Sequence, residues 1–155
     1  RAIILEFAAR GANVIINSRT NEAEARGVEQ EAQALGAKTL VVMGAAGELN
    51  AQLGKWPRVR ITPMFGRWGY FVGDQLFACF PLRTKDTDLW IRLTPEEQKR
   101  AVLVPGFTPH RRFAARGWVE CEVETSRDVG RAIRWLRRSY DAVIQSVERE
   151  ERRSR

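Results

Sequence analysis

Tyr70-Phe71-Val72-Gly73-Asp74-Gln75-Leu76-Phe77-Ala78-Cys79-Phe80 is the stretch whose reading decides the fold. Two runs of aromatic and apolar residues flank Gly73-Asp74, a pair suited to the primed two-residue turn that joins antiparallel strands. Working toward the C-terminus, a polar stretch from Arg83 to Asp88 leads to a third strand with Leu89, Ile91 and Leu93 on one face. Thr94-Pro95-Glu96-Glu97 combines a capping box with proline at the first helical position. That helix is expected to end near Pro105-Gly106, and residues 107–116 read as a loop. In Trp118 to Glu124, Val119, Cys121 and Val123 alternate with Glu120, Glu122 and Glu124, the pattern of a strand with one face buried.

The last helix carries the strongest pattern. With Ser126 as the expected N-cap and Asp128 in the first turn, Val129, Ile133, Leu136, Tyr140, Val143 and Val147 repeat at gaps of four and three. That spacing makes one apolar stripe. Past Val147 nearly every residue is charged, so residues 148–155 are expected to fray as a tail. The fold class predicted is α+β: a largely antiparallel four-stranded sheet over residues 69–124 with a long C-terminal helix.

Toward the N-terminus the pattern differs. Residues 2–10 favour a helix closed by Gly11, and Val14-Ile15-Ile16 is a short apolar strand. Asn21 to Leu35 reads as a second helix, and Thr39-Leu40-Val41-Val42 as a second strand. A helix crossing between two such strands predicts a parallel, Rossmann-like βαβ fragment. The expected organisation is therefore residues 1–45 as this incomplete fragment, 46–54 as a junction, 55–147 as the second domain, and 148–155 as the tail.

The composition bounds what the chain can do. With 155 residues, 44% hydrophobic and 29% charged, it has material for a modest core. No apolar run approaches the roughly 18–20 residues needed to cross a bilayer, so no membrane partner is expected. Cys79 and Cys121 sit in apolar strand-like runs without metal-ligand spacing, which fits small buried hydrophobes in a reducing, cytoplasmic compartment. The net charge of +7 is uneven. Residues 56–147 hold sixteen basic against ten acidic side chains, whereas residues 1–55 hold six of each. A basic domain attracts nucleic acid or another polyanion.

Two resemblances follow from these residues. The run Arg1 to Arg19, with Gly11-Ala12-Asn13-Val14-Ile15-Ile16-Asn17-Ser18-Arg19 at its end, resembles short-chain dehydrogenases/reductases just after their glycine-rich loop. The resemblance implies that Arg19 is the vestige of a residue meeting the 2′-phosphate of NADP. The chain opens on Arg1 rather than Met, so a start upstream stays open; the glycine-rich loop that should precede Arg1 is absent, and no Gly-x-Gly-x-x-Gly occurs in the chain. The family's Tyr-x-x-x-Lys pair is absent, because Asp74 and Ile144 stand four residues after Tyr70 and Tyr140. Hydride transfer needs cofactor and acid/base groups together, so the sequence predicts no cofactor and no catalytic residues.

Residues 55–147 resemble the TfoX N-terminal family, whose architecture is related to YjbR-type domains. The resemblance rests on Met64-Phe65-Gly66, the hairpin containing Phe77-Ala78, a strand ending in Ile91-Arg92-Leu93, the Glu-Glu helix, Pro105-Gly106, Pro109, and a final helix with Trp135-Leu136. It implies a non-enzymatic, competence-regulator-like module acting through nucleic acid or a regulatory protein.

The candidate interface is Arg127, Arg131, Arg134 and Arg138, which fall together opposite the apolar stripe. They read either as a solvated face countered by Glu120, Glu122 and Glu124, or as phosphate contacts aided by Arg92, Arg111, Arg112 and Arg116. His110 reads as an exposed loop residue, since no Ser or Cys partner stands at suitable spacing. Trp90, Trp118 and Trp135 are expected in or at the rim of the core, and Trp56 and Trp68 are less constrained. Three readings stand open: a TfoX-type module, a remnant NADP-dependent oxidoreductase, and a fusion product without evolved function.

Overall fold

The computed structural model describes residues Arg1–Arg155. The chain forms two compact units, Arg1–Gln52 and Leu53–Arg155. The first contains α1 (Ala2–Ala9), β1 (Val14–Asn17), α2 (Glu22–Ala34), β2 (Thr39–Val42) and nearly all of α3 (Gly44–Leu53). β1 and β2 pair in parallel, Val14 opposite Thr39 through Asn17 opposite Val42. Asn21 caps α2 by accepting from the Glu24 amide at 3.0 Å. The core is divided into two small clusters, one on Ala8, Ala32 and Ala37 and the other on Ile16, Ala25 and Val28. The stretch expected to be a junction is mostly helical. α3 also runs against the strand ends: a Cβ on Gly47 would lie 2.4 Å from the carbonyl oxygens of Ser18 and Val42.

The second unit is one antiparallel sheet with a helix on its inner face. Its strands are β3 (Val59–Met64), β4 (Arg67–Val72), β5 (Gln75–Pro81), β6 (Asp88–Arg92), β7 (Phe107–Pro109) and β8 (Trp118–Glu122), with α4 (Pro95–Ala101) and α5 (Ser126–Arg153) completing it. The order across the sheet is β3-β4-β5-β6-β8-β7. The expected four strands are thus six. Both additions lie at the sheet's edges and each contains a proline, Pro63 or Pro109, which weakens a strand signal but is tolerated where no inner neighbour needs the amide.

The Gly73-Asp74 hairpin forms as predicted, with Val72 opposite Gln75. Between Tyr70 and Phe71 the register with β5 slips by one, leaving Phe77 as a bulged residue. Phe77 and Ala78 are both fully buried as a result, and Phe77 meets Tyr140 of α5 edge-on at 6.0 Å between ring centroids. Tyr70, Leu89, Ile91, Val119 and Leu136 complete this core. Trp68 is buried too, because it alternates in phase with Tyr70. Sequence alone left it unconstrained. Cys79 and Cys121 are buried and unpaired, and burial pushes the Cys121 thiol up to about 12.

α5 departs from expectation at both ends. Its N-cap is Thr125 rather than Ser126, in a reciprocal capping box with Asp128. Residues 148–153 stay helical instead of fraying. Arg58 pairs with Glu151 at 2.5 Å and Gln75 reaches Glu150 at 3.4 Å, so the last turns have partners. No helix in the chain is long and apolar enough to cross a membrane.

Strands β5, β6 and β8 have neighbours on both sides, whereas β1 and β2 pair only with each other. Amides at 77–80 and 119–121 are therefore expected to exchange with deuterium more slowly than those at 14–16 and 39–42. Equal protection in a hydrogen-exchange experiment would show that the two-stranded sheet opens only with the whole molecule.

Candidate nucleic-acid interface

The candidate face is built on α5, because the helix's inner face is committed to the sheet. Val129, Ala132, Leu136, Ser139, Tyr140, Val143 and Val147 are buried there. Ala132, Trp135 and Ser139 widen the predicted stripe, while Ile133 is only partly buried. The outer face then follows from helical geometry: at about 100° per residue, Arg127, Arg131, Arg134 and Arg138 fall on the side away from the sheet. All four are exposed.

They are not equivalent. Arg131 donates to the Pro105 carbonyl at 2.7 Å, and Arg138 pairs with Glu97 at 2.9 Å while lying 4.4 Å from the Trp135 ring centre. These two arginines tie α5 to α4 and the turn after it. Arg127 and Arg134 make no ion pair or hydrogen bond. The countercharge expected from the β8 glutamates does not reach the row: Glu120 pairs with Arg111 at 3.7 Å, and Glu122 accepts from Thr87.

Because α5 continues to Arg153, the row is longer than the sequence reading allowed. Arg149 and Arg152 are exposed on the same side, their guanidinium groups bonded only to the helix's own carbonyls at Gln145 and Glu148. The gaps of four and three that link 127, 131, 134 and 138 continue through 141 and 145 to 149 and 152. That periodicity was the signal available. Ending the helix at Val147 hid it. At about 1.5 Å per residue, the face from Arg127 to Arg152 runs about 38 Å.

Of the other arginines named from sequence, Arg111 is held by Glu120, Arg112 is exposed, and Arg92 and Arg116 line a separate cleft. Arg137, not singled out from sequence, lies 5.0 Å from the Tyr140 ring centre and 5.2 Å from that of Trp56, and it pairs with Asp141 at 3.2 Å. Its charge is engaged in fixing the rings. In the first unit Arg19, the residue that the short-chain dehydrogenase resemblance singled out, pairs with Glu48 at 2.5 Å. A guanidinium already answered by a carboxylate is a poor receiver for a phosphate.

His110 is a correction. It is 3% exposed rather than an open loop residue. Its Nδ1 accepts from the amides of Arg112 and Phe113, each at 3.0 Å, so the ring acts as a cap for the turn that follows. Phe113 stacks on it at 5.0 Å and Trp90 meets it edge-on at 4.3 Å. With Nδ1 serving as acceptor, the proton of the neutral ring sits on Nε2. Trp90 in turn donates to Asp88 at 2.8 Å beneath the Arg67 guanidinium, which lies 3.8 Å from its ring centre. No nucleophile lies within this cluster, and nowhere in the chain do three or more His, Cys, Asp or Glu side chains group as a metal site.

Comparison with protein-family models finds no match to this chain, and comparison with curated proteins finds none either.

Burial lowers the His110 pKa from its ordinary 6.5, so the fold favours the neutral ring. Its contribution to stability is complete above about pH 6.5 and is lost as the pH falls below that value. The slope is bounded by one proton, about 1.4 kcal/mol per pH unit. His110 is the sole histidine, so Tm measured between pH 7 and 5 should fall more steeply in the parent than in His110→Asn, which keeps an acceptor without the titration. Parallel pH profiles for the two proteins would contradict this role.

Proposed function

We propose that the chain is a non-enzymatic, nucleic-acid-associated module of TfoX N-terminal type that meets the phosphate backbone through the outer face of α5. The observation that carries the reading is the exposed arginine row, in which Arg127 and Arg134 have no partner inside the protein. Charge supports it: the second unit holds twenty-one basic against thirteen acidic side chains, while the first is close to neutral. Binding of this kind is electrostatic and indifferent to sequence, because guanidinium groups on a helix flank neutralise phosphates without reading base edges. The capped ring of His110, the buried thiols and the Arg19–Glu48 pair favour no catalytic role.

The row divides by function within this reading. Arg131 and Arg138 tie α5 to the turn after α4 and to α4 itself, whereas Arg127 and Arg134 are free to contact a ligand. Reversing only the latter pair to Glu leaves the fold's own bonds untouched. Fluorescence anisotropy on unrelated DNA and RNA oligonucleotides, across a salt series, is the test. The Arg127→Glu/Arg134→Glu protein should bind all of them more weakly by a similar factor, and its log K against log salt slope should flatten by about 1.8 on duplex DNA, at roughly 0.9 per phosphate contact. A parent chain that binds neither DNA nor RNA at low salt would sink the proposal.

A further inference from the structure

A charged side chain held partly out of water normally has a partner of opposite sign. One cleft in the second unit breaks that rule at Arg92 and sets a second unpaired arginine, the exposed Arg116, beside it. It opens between the sheet and α5, has a volume of about 190 Å³, and is lined by both Arg92 and Arg116. Arg92, at the end of β6, is partly buried; Arg116 closes a single 3₁₀ turn (Ala114–Arg116). Neither guanidinium makes a hydrogen bond, ion pair or ring contact. No carboxylate lines the cleft, whose other polar groups are Gln75, Thr94, Ser139 and Ser146. Burial alone acts on Arg92, pushing its pKa down with no acid to oppose it.

The backbone forces the two arginines together. Leu93 donates to the Gly117 carbonyl at 2.9 Å, which pins the residue after Arg116 to the residue after Arg92. Gly117 has φ +88°, and a Cβ there would stand 2.2 Å from the Leu93 carbonyl oxygen, so only glycine permits the approach. The cleft itself exists because β5 and β6 pair only at Ala78–Ile91 and Cys79–Trp90 and then part. Two like charges are thus set beside the gap, with neutral donors around them. The Thr94 hydroxyl oxygen accepts from the Glu97 amide, which leaves its own proton to donate, and Ser146 has no partner.

We propose that this cleft binds a phosphate group. Guanidinium forks match phosphate oxygens in pairs, and hydroxyl and amide donors supply what a tetrahedral anion needs beyond two cations. The phosphate belongs either to a free phosphate or phosphomonoester, or to one phosphodiester of a polynucleotide. The chemistry at the two arginines is shared. This site is separate from the outer face of α5 and does not depend on it.

The test uses the full chain and follows thermal unfolding by tryptophan fluorescence, in inorganic phosphate and in chloride at matched ionic strength and pH. Phosphate should raise Tm saturably beyond chloride, because a ligand that binds only the folded state stabilises it. Arg92→Met keeps the alkyl bulk and should be as stable as the parent in chloride while losing the phosphate response. Arg116→Met alters an exposed side chain and should weaken phosphate binding about tenfold or more, the usual weight of a charged hydrogen bond. Arg127→Glu/Arg134→Glu should retain the full phosphate response, which separates this site from the helix face. A nucleoside monophosphate and an oligonucleotide lacking terminal phosphates, compared at equal phosphate concentration, identify the source. The proposal is overturned if phosphate acts no differently from chloride, or if both Met variants keep the parent's response.

Discussion

The hydroxyl of Ser139 lies between two strands that have stopped pairing, within reach of the carbonyl oxygens of Phe77, at 3.0 Å, and Arg92. Past Ala78 and Ile91 the β5–β6 ladder ends, which leaves the Phe77 carbonyl without a strand partner on that side. A buried carbonyl without a donor costs about 1–3 kcal/mol. The fully buried Ser139 hydroxyl on α5 lies within reach of both, its single proton donated to one or shared between them, and so fixes the height at which the helix lies on the sheet. Tyr140, the next residue, then packs on Phe77 and Trp56 and donates to the Pro57 carbonyl at 2.8 Å. The inner face of the helix is thus held by the buried Ser139 hydroxyl and by apolar packing along its stripe, with further polar ties at Tyr140 and at both ends.

That placement sets the electrostatics of both faces. With its inner stripe fixed on the sheet, α5 can only send its arginines outward. The same parting of β5 and β6 that Ser139 bridges opens the cleft beside Arg92. Arg131 and Arg138 belong to neither a ligand face nor the core: Arg138 braces α4 through Glu97, and Arg131 braces the turn after it through the Pro105 carbonyl. Charge counted along the sequence cannot distinguish a bracing arginine from a free one, since that depends on where the Pro105 carbonyl lies in space.

The legible parts of the fold were those with local causes. The Gly73-Asp74 turn, the Thr94-Pro95 helix start, the parallel β1–β2 pair and the apolar stripe of α5 each follow from a few neighbouring residues. The missed parts needed long-range partners. β3 and β7 contain prolines that only an edge position permits, and the last turns of α5 hold because Arg58 and Gln75, far away in sequence, meet Glu151 and Glu150. The candidate site followed the same division. Arg127 to Arg138 showed themselves by period, Arg149 and Arg152 were hidden by the misplaced helix end, and the Arg92–Arg116 cleft required the Leu93–Gly117 contact. His110 escaped because its acceptor role depends on the turn that folds back beneath it.

The Arg58–Glu151 pair also bears on how the second unit could be rewired. It joins the segment where the chain enters this unit to the last turns of the helix where it leaves. Entry and exit points that lie side by side make a domain tolerant of circular permutation and of insertion into a host loop. The exposed stretch at 83–86, between β5 and β6, offers the new opening, with a short flexible peptide closing the old one. In such a rearranged protein Ser139 and the sheet keep their places, while the order in which the ribosome delivers β5 and β6 is reversed.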